Sequence, residues 1–187
     1  MSTPYALPHP GLNARQVETV ERLFAATEAL LDEMPYDELT IRLIAARAGL
    51  SPATAYTYFS SKDHLFATLY WRLVATAEGP ELAGDPRERL RQVVRWIAAL
   101  VGASPALATA ANKSLLGGDP AVAELRLAIG RHFVGLFAEA LGEDARPGLV
   151  RTLEYVLTGA MVEAGAGIVA FDDLAEELVA AVDIVTG

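Results

Sequence analysis

The stretch TIRLIAARAGLSPATAYTYFSSKDHLF, residues 40–66, decides the fold. It contains two short segments of helical character, residues 41–47 and 52–58, on either side of Gly49. Gly49 allows the left-handed backbone of a sharp turn, because glycine has no Cβ to clash with the following carbonyl oxygen. Two short helices joined by a glycine-bearing turn predict a helix-turn-helix.

Capping residues predict where the helices around this turn begin. Thr40 and Ser51 precede the two short helices, where a side-chain oxygen can accept a hydrogen bond from a helix N–H group that has no other partner. Ser60 and Asp63 predict a capping box for the helix that follows. Together with Lys62, the N-terminal N–H groups of that helix predict an anion site beside the helix-turn-helix.

The second short helix has the composition of a surface that meets the major groove of DNA. Its small side chains allow a close approach, its hydroxyls can reach phosphates, and the methyl groups of Ala53 and Thr57 can contact thymine methyls. The residues expected in these roles are Pro52, Ala53, Thr54, Tyr56, Thr57 and Tyr58.

A longer pattern runs through the same residues: Thr-x-Arg-x-Ile-Ala, then Ala-Gly-Leu-Ser, then Thr-x-Tyr-x-Tyr-Phe-x-Ser-Lys. It consists of Thr40, Arg42, Ile44, Ala45, Ala48, Gly49, Leu50, Ser51, Thr54, Tyr56, Tyr58, Phe59, Ser61 and Lys62. This pattern resembles the DNA-binding domain of the tetracycline-repressor (TetR) family of bacterial transcription regulators. The resemblance covers about residues 14–75, and the rest of the chain agrees with that family in length and helical content.

The resemblance implies a role for individual residues. Arg42 would reach a base, and Pro52 and Ala53 would pack on base edges. The residues that would hold phosphates are Thr54, Tyr56 and Lys62, and Tyr58 would lie partly in the core. The full predicted DNA-binding set is Thr40, Arg42, Ser51, Pro52, Ala53, Thr54, Tyr56, Thr57, Tyr58 and Lys62.

Two positions depart from the family pattern. Ala53 and Ala55 stand where the family often has glycine and leucine. Ala53 adds a methyl group at the closest approach to DNA, and Ala55 thins the contact between the second short helix and the first helix of the domain. Because of both changes, the operator sequence of another family member does not transfer directly to this chain.

Helical periodicity continues from Asn13 nearly to the end of the chain, and no segment alternates with the two-residue period of a half-buried strand. The predicted helices cover residues 14–33, 41–47, 52–58, 62–78, 86–102, 105–116, 120–141, 147–169 and 172–185. The prediction is an all-α protein of three parts. These are a disordered tail (1–13), a three-helix helix-turn-helix DNA-binding domain (14–61), and a helical ligand-binding and dimerisation domain (62–187).

Composition and charge limit the classes of protein to which this chain can belong. The chain of 187 residues has a net charge of −9 and no cysteine, which excludes disulfides, thiolate zinc sites and cysteine nucleophiles. Residues 1–75 contain six Lys or Arg against eight Asp or Glu, so this part lacks the basic surface typical of DNA-binding domains. The chain has neither a secretory signal nor an apolar run near the roughly 18 residues that span a bilayer, which predicts a cytoplasmic protein without a membrane segment.

The second part of the chain lacks motifs, and its apolar stripes predict a core with a pocket inside it. Aromatic and flexible side chains between residues 62 and 169 favour a small, mostly apolar effector that is uncharged or weakly polar. The residues predicted to line its site are Tyr70, Trp96, Asn112, His132, Phe133, Phe137, Tyr155, Met161 and Glu163. An ordinary core would show similar stripes, and His132 also suits a core histidine with its hydrogen bonds satisfied.

Small residues in LTGAMVEAGAGIVA, residues 157–170, would let two helices approach closely. By the resemblance, the last two helices would form a four-helix interface with those of a second subunit. Gly165 is predicted to lie in this homodimer interface. Packing within one chain is the alternative.

Two other function classes stay open beside the regulator. The near-neutral charge of the N-terminal part favours a helical protein-interaction module that no longer meets DNA. A small all-helical enzyme is the weaker alternative, because the chain has no Gly-rich phosphate loop, metal-spaced cluster or nucleophile–base pair, and its histidines are scattered. No catalytic residue, metal or cofactor is predicted. The leading prediction is a homodimeric repressor that binds a pseudo-palindromic double-stranded operator and is released by its effector.

Overall fold

The computed structural model describes residues 11–187, and the predicted disordered tail lies almost entirely outside this range. The described residues form nine α-helices and no strand, which confirms the all-α prediction. The helices are α1 (Ala14–Leu31), α2 (Ile41–Arg47), α3 (Pro52–Tyr58), α4 (Lys62–Thr76), α5 (Pro86–Gly102), α6 (Pro105–Leu116), α7 (Ala123–Leu141), α8 (Pro147–Gly165) and α9 (Leu174–Thr186). Short 3-10 turns occur at Tyr36–Glu38, Pro120–Val122 and Gly142–Asp144.

None of these nine helices is by itself both long and apolar enough to cross a bilayer. Only α5 and α6 taken together meet the criteria of length and composition, and they are bent by 100° relative to each other. The bend lies at Ala103 and Ser104, between the two helices.

The caps predicted at Thr40 and Ser51 are present, and a further cap begins α1. Asn13 and Gln16 form a capping box at α1, in which each side chain accepts a hydrogen bond from the backbone N–H of the other residue. The Thr40 and Ser51 hydroxyls accept from the N–H groups of Leu43 and Thr54, at 3.2 and 3.1 Å. Each bond joins residues three apart in the sequence, so local interactions determine where α2 and α3 begin.

The predicted capping box of Ser60 and Asp63 is wrong. Ser61 caps α4, because its hydroxyl accepts from the His64 N–H at 2.9 Å. The Asp63 carboxylate instead accepts a hydrogen bond from the Tyr36 hydroxyl, which lies far away in sequence. A tertiary contact therefore displaces the local bond that the spacing suggested.

Several helices end earlier than predicted. α8 stops at Gly165 instead of residue 169, because Gly167 adopts a left-handed backbone (φ +73°) that ends the helix. α4 stops at Thr76, where Ala77 is already extended. α1 stops at Leu31, and the predicted start of the seventh helix at Pro120 is a 3-10 turn that leads into α7.

Two clusters of buried side chains hold the helices together. The first joins α1, α2 and α3 to the beginning of α4, and it includes Leu107 and Ala110 of α6. The second joins the end of α4 to α5 through α9. α4 and α6 contribute to both clusters, and the predicted domain boundary between residues 61 and 62 lies where α4 begins.

Polar side chains also connect the two parts. Tyr36 donates to Asp63, the Ser114 hydroxyl of α6 lies 3.4 Å from the Tyr36 hydroxyl, and Lys113 of α6 pairs with Asp37. Burial and the hydrogen bond to Asp63 raise the pKa of Tyr36 to about 12, so this hydroxyl keeps its proton. We call Tyr36, Asp37, Asp63, Lys113 and Ser114 the interdomain polar cluster.

Candidate functional site

The solvent-facing side of α3 consists of residues predicted to meet DNA. The exposed residues on or just before this helix are Ser51, Pro52, Ala53, Tyr56 and Thr57. Tyr56 is 51% exposed, whereas Ala55 and Tyr58 are buried in the first cluster. Tyr58, at 9% exposed, is therefore a core residue and does not reach out from this face.

Hydrogen bonds within α3 limit how its hydroxyls can act. The Ser51 and Thr54 hydroxyls lie 2.8 Å apart, and Thr57 donates to the Ala53 carbonyl at 3.0 Å. A contact by Thr57 with a nucleic acid would therefore come from its methyl group. Tyr56 has no such internal bond among the described residues, so its hydroxyl is available.

The two arginines of α2 differ in their surroundings. Arg47 forms a two-point ion pair with Glu33, with its Nη1 at 2.7 Å from the carboxylate. Arg42 is exposed and makes no hydrogen bond or ion pair with any of residues 11–187. Arg42 is thus an uncommitted cation on α2, the helix that packs against α3.

Lys62 does not extend as the predicted phosphate contact. Its Nζ donates to the Tyr36 carbonyl at 2.9 Å and lies 3.9 Å from the centre of the Tyr36 ring. Burial lowers the pKa of Lys62. The start of α4 also carries a carboxylate, because the Ser61 hydroxyl donates to Asp119. A phosphate at this helix start would meet the negative charge of Asp119, so these contacts do not favour the anion site predicted there.

Arg22 of α1 supports the turn between α2 and α3. Its Nη2 donates to the Ala48 carbonyl at 2.6 Å and to the Gly49 carbonyl at 3.3 Å. Gly49 has φ +66°, as the turn requires. No sequence signal identifies Arg22, because its partners lie 26 and 27 residues away.

A cavity of about 290 Å³ lies among α4, α6, α7 and α8. It is lined by Tyr70, Ala108, Ala111, Asn112, Leu115, Leu116, Arg126, Ile129, Gly130, Phe133, Glu154, Leu157, Thr158, Met161 and Phe171. The buried members of this set, such as Ile129 and Phe133, form the inner wall. The exposed members are Leu116, Arg126 and Thr158, and they mark the mouth.

Four of the predicted effector residues line this cavity, and five do not. The residues it brings together are Tyr70, Asn112, Phe133 and Met161. Trp96 of α5 is half-buried against the second cluster, and its indole N–H donates to the Glu78 carbonyl at 2.8 Å. Phe137 is packed in the second cluster. Tyr155 and Glu163 project from the exposed face of α8, so neither can line a pocket inside the body.

His132 lies next to the cavity wall but is not part of it. Its ring packs edge-on against Trp71 and Phe133, with ring centres 5.8 Å apart in each case. Its Nε2 is buried without a hydrogen-bond partner among the described residues. Burial lowers the pKa of His132, which favours the neutral ring.

Gly165 faces α6, not the outside of the molecule. A Cβ added there would lie 2.5 Å from the Nδ2 of Asn112, which donates to the Met161 carbonyl of α8. Gly159 on the same helix is exposed and has nothing within 4 Å of such a Cβ. The prediction that Gly165 lies in a subunit interface is therefore wrong, because its small size serves packing within the chain.

Similarity to known proteins covers both the helix-turn-helix and the helices that follow it. The family model described as "Bacterial regulatory proteins, tetR family" matches residues 23–69, from within α1 to within α4. An HTH-type transcriptional regulator of Mycobacterium tuberculosis is 40% identical over 169 residues, which is 89% of this chain and 79% of the relative. The chain belongs to the TetR family of transcription regulators. It is thus a DNA-binding regulator, and its family is not a class of enzymes.

Other TetR-family proteins share the sequence or the fold. The transcriptional repressor KstR of Rhodococcus jostii is 28% identical over 136 residues, covering 71% of this chain and 63% of KstR. A TetR regulator from a Rhodococcus species has a TM-score of 0.75 at 22% identity, covering 93% of this chain and 98% of that structure. The regulator TylP of Streptomyces fradiae has a TM-score of 0.63 at 20% identity, covering 91% and 86%. The structural likeness extends to the whole body, beyond the helix-turn-helix.

Proposed function

We propose that this TetR-family regulator is a homodimeric repressor that binds a pseudo-palindromic operator. It dissociates from the operator when a small, mostly apolar effector binds. The observation that carries the proposal is the exposed face of α3 together with the uncommitted Arg42 on the neighbouring helix α2. In this proposal residues 14–61 bind DNA and residues 62–187 bind the effector and the second subunit. Such a regulator acts where the chromosome lies, in the cytoplasm.

The proposed DNA contacts follow from exposure and hydrogen bonding. Arg42 reads a base edge, because it is exposed and has no competing carboxylate. Small side chains at the start of α3 allow close approach, and Tyr56 offers a hydroxyl to a phosphate. The proposed contact set is Thr40, Arg42, Ser51, Pro52, Ala53, Thr54, Tyr56 and Thr57. Tyr58 and Lys62 support the fold of this domain.

The proposed dimer uses the outer faces of α8 and α9. Tyr155 and Val162 of α8 are exposed, and Ile184 of α9 is 82% exposed. Large apolar side chains on the outside of two packed helices favour an interface that covers them. A two-fold dimer through these helices would also place two copies of α3 for the two halves of an operator.

The proposed effector site is the cavity among α4, α6, α7 and α8. Its walls are mainly apolar with a few polar groups, which is the usual make-up of small-molecule sites. α6 lines this cavity and also contributes Lys113 and Ser114 to the interdomain polar cluster. An effector that favours one position of α6 would therefore change the equilibrium between DNA-binding and released states.

The experiment that tests DNA binding compares the two arginines of α2. Operator fragments are first selected from genomic DNA, and affinities are then measured over a range of salt concentrations. Arg42→Ala is expected to cost about 1–3 kcal/mol and to relax base preference at particular positions, as the loss of a base contact does. Arg47→Ala is the matched control, because this arginine is already paired with Glu33.

Equal losses in the two variants would contradict the assignment of Arg42 to a base. If the wild-type protein selects no fragment above the background of non-specific binding, the proposed operator recognition is wrong.

A further inference from the structure

We propose that the cavity takes a neutral, mostly apolar molecule whose single acceptor oxygen is bound by the Tyr70 hydroxyl. This inference rests on the proposed effector site and adds the chemical class of its ligand and the residue that orients it.

Tyr70 is the lining side chain whose only polar group has no partner among the described residues. It is only 5% exposed, and no described residue forms a hydrogen bond with its hydroxyl. Burial raises the pKa of Tyr70, so the hydroxyl keeps its proton and can act as a donor. Among the described residues, His132 Nε2 is the buried side-chain polar atom without a partner, so the Tyr70 hydroxyl keeps some accessible surface. Because Tyr70 lines the cavity, a ligand oxygen there can accept its hydrogen bond.

The other polar side chains of the wall already have partners. The Asn112 amide donates to the Met161 carbonyl, and Thr158 donates to the Glu154 carbonyl at 2.8 Å. The Glu154 carboxylate accepts from Arg151 at 2.7 Å. Thr158 and Glu154 are therefore less available to a ligand than the Tyr70 hydroxyl. The Asn112 Oδ1 has no partner among the described residues, but this oxygen can only accept and so cannot bind a ligand carbonyl.

Arg126 also has hydrogen-bond partners within the chain. Its guanidinium donates to the carbonyls of Leu115 and Gly117 at the end of α6, the second at 2.8 Å. It lies at the exposed mouth, where Glu154 supplies a charge of the opposite sign. The buried part of the wall carries no charged side chain, so a charged group there would be left without compensation.

The shape of the site limits the size of the ligand. The volume of 290 Å³ is near the lower end of the range of about 300–1,000 Å³ for small-molecule sites. Phe133, Ile129 and Leu157 make the buried wall apolar around Tyr70. The site therefore suits a compact ketone, ester or ether, and not a hydrocarbon or an acid.

The test uses three probes of one shape: benzylacetone, which is a ketone, isopentylbenzene, in which the carbonyl is replaced by a branched carbon, and 3-phenylpropanoate, which is an anion. Binding to the full-length protein is measured by calorimetry without DNA. We expect the ketone to bind about tenfold more tightly than the hydrocarbon, and Tyr70→Phe to abolish that difference. Tyr58→Phe is the matched control, since it removes a buried tyrosine hydroxyl from the other cluster.

Three outcomes would overturn the inference. They are equal binding of ketone and hydrocarbon to the wild-type protein, tightest binding of the anion with its loss in Arg126→Gln, and no binding of any probe at millimolar concentration. The first comparison needs no variant, so it holds even if Tyr70→Phe folds poorly.

A separate measurement tests the proposed function. Operator release by benzylacetone is followed with the selected DNA fragment. If the ketone binds through Tyr70 but never changes operator affinity, the ligand assignment stands and the effector role is wrong. If another compound releases the operator but the three probes give one of the overturning outcomes above, the effector role stands and the assignment of Tyr70 is wrong.

Discussion

Gly49 holds the turn between α2 and α3 in a left-handed conformation, and Arg22 binds the carbonyls on both sides of the bend. A side chain at position 49 would meet two difficulties. The conformation disfavours L-residues, and a Cβ would lie 3.1 Å from the Arg22 Nη2. The orientation of α3 relative to α2 therefore depends on one glycine and one distant arginine.

Gly49→Ala is expected to lower the free energy of unfolding by about 1–2 kcal/mol, because a left-handed alanine costs that much. Gly135→Ala is the matched control. Gly135 lies inside α7 with nothing within 4 Å of an added Cβ. The substitution Gly135→Ala is expected to raise the free energy of unfolding by about 1 kcal/mol. Urea denaturation of both variants measures the two changes. A stabilising Gly49→Ala would contradict the role given to this turn.

His132 predicts a pH dependence of stability. Burial lowers its pKa in the folded protein, whereas an unfolded chain has a histidine pKa of about 6.5. The unfolded state therefore binds the proton more tightly, and stability falls as the pH drops below about 6.5. Thermal melts at neutral and mildly acidic pH should show a smaller acid-induced loss for His132→Phe, which keeps a ring against Trp71 and Phe133. Identical pH profiles for variant and wild type would refute this role for His132.

At the scale of elements, α8 has two faces with different tasks. Its inner face packs on α6, where Asn112 donates to the Met161 carbonyl and Gly165 leaves room for the amide. Its outer face exposes Tyr155, which is 61% accessible, and Gly159. Gly165 therefore serves packing within the chain, whereas Gly159 lies on the face of the proposed dimer.

Gly159→Leu is expected to weaken the proposed dimer while leaving the fold intact, because its new side chain would project from the exposed face. Gly165→Leu is expected to destabilise the chain by displacing Asn112, and to act on association only indirectly. Light scattering measures the dimer, and thermal melting measures the fold. Wild-type dimerisation of Gly159→Leu would move the interface away from this face of α8.

At the scale of the whole molecule, α6 lies between the cavity and the helix-turn-helix. Ala111 and Asn112 line the cavity, and Leu107 packs with the first cluster. Lys113 and Ser114 reach the turn that follows α1. Coupling between two sites is a free energy that acts equally in both directions. A ligand that changes DNA affinity through α6 must therefore bind differently when DNA is present.

Tyr36→Phe is expected to reduce this coupling by about 1 kcal/mol, because it removes the hydrogen bond to Asp63. Ligand affinity measured without DNA should not change, since Tyr36 is not part of the cavity wall. Lys113→Met is expected to have a smaller effect, because its ion pair with Asp37 is exposed. Operator titrations with and without a releasing ligand measure the coupling. Full coupling in Tyr36→Phe would exclude this route.

The sequence by itself determined the helical class, the helix-turn-helix and most helix starts. These features depend on side chains within about four residues of each other, as in the capping bonds of Thr40, Ser51 and Asn13. The same local signals failed where a distant partner competed, as when Asp63 bonded Tyr36 instead of closing a capping box. Periodicity also placed Tyr70 and Phe133 on faces that turn inward.

Only the tertiary structure decided which side chains remain available for binding. Arg42 and Arg47 look alike in the sequence, and Glu33 alone separates their roles. Lys62 turns onto Tyr36, and Asn112 reaches a carbonyl 49 residues away. Trp96 and Tyr155 are of the residue type expected in a pocket, but Trp96 packs elsewhere on the second cluster and Tyr155 faces outward. The physical reason is that a cavity forms between helices, so its lining depends on how they pack and not on the periodicity of any one of them.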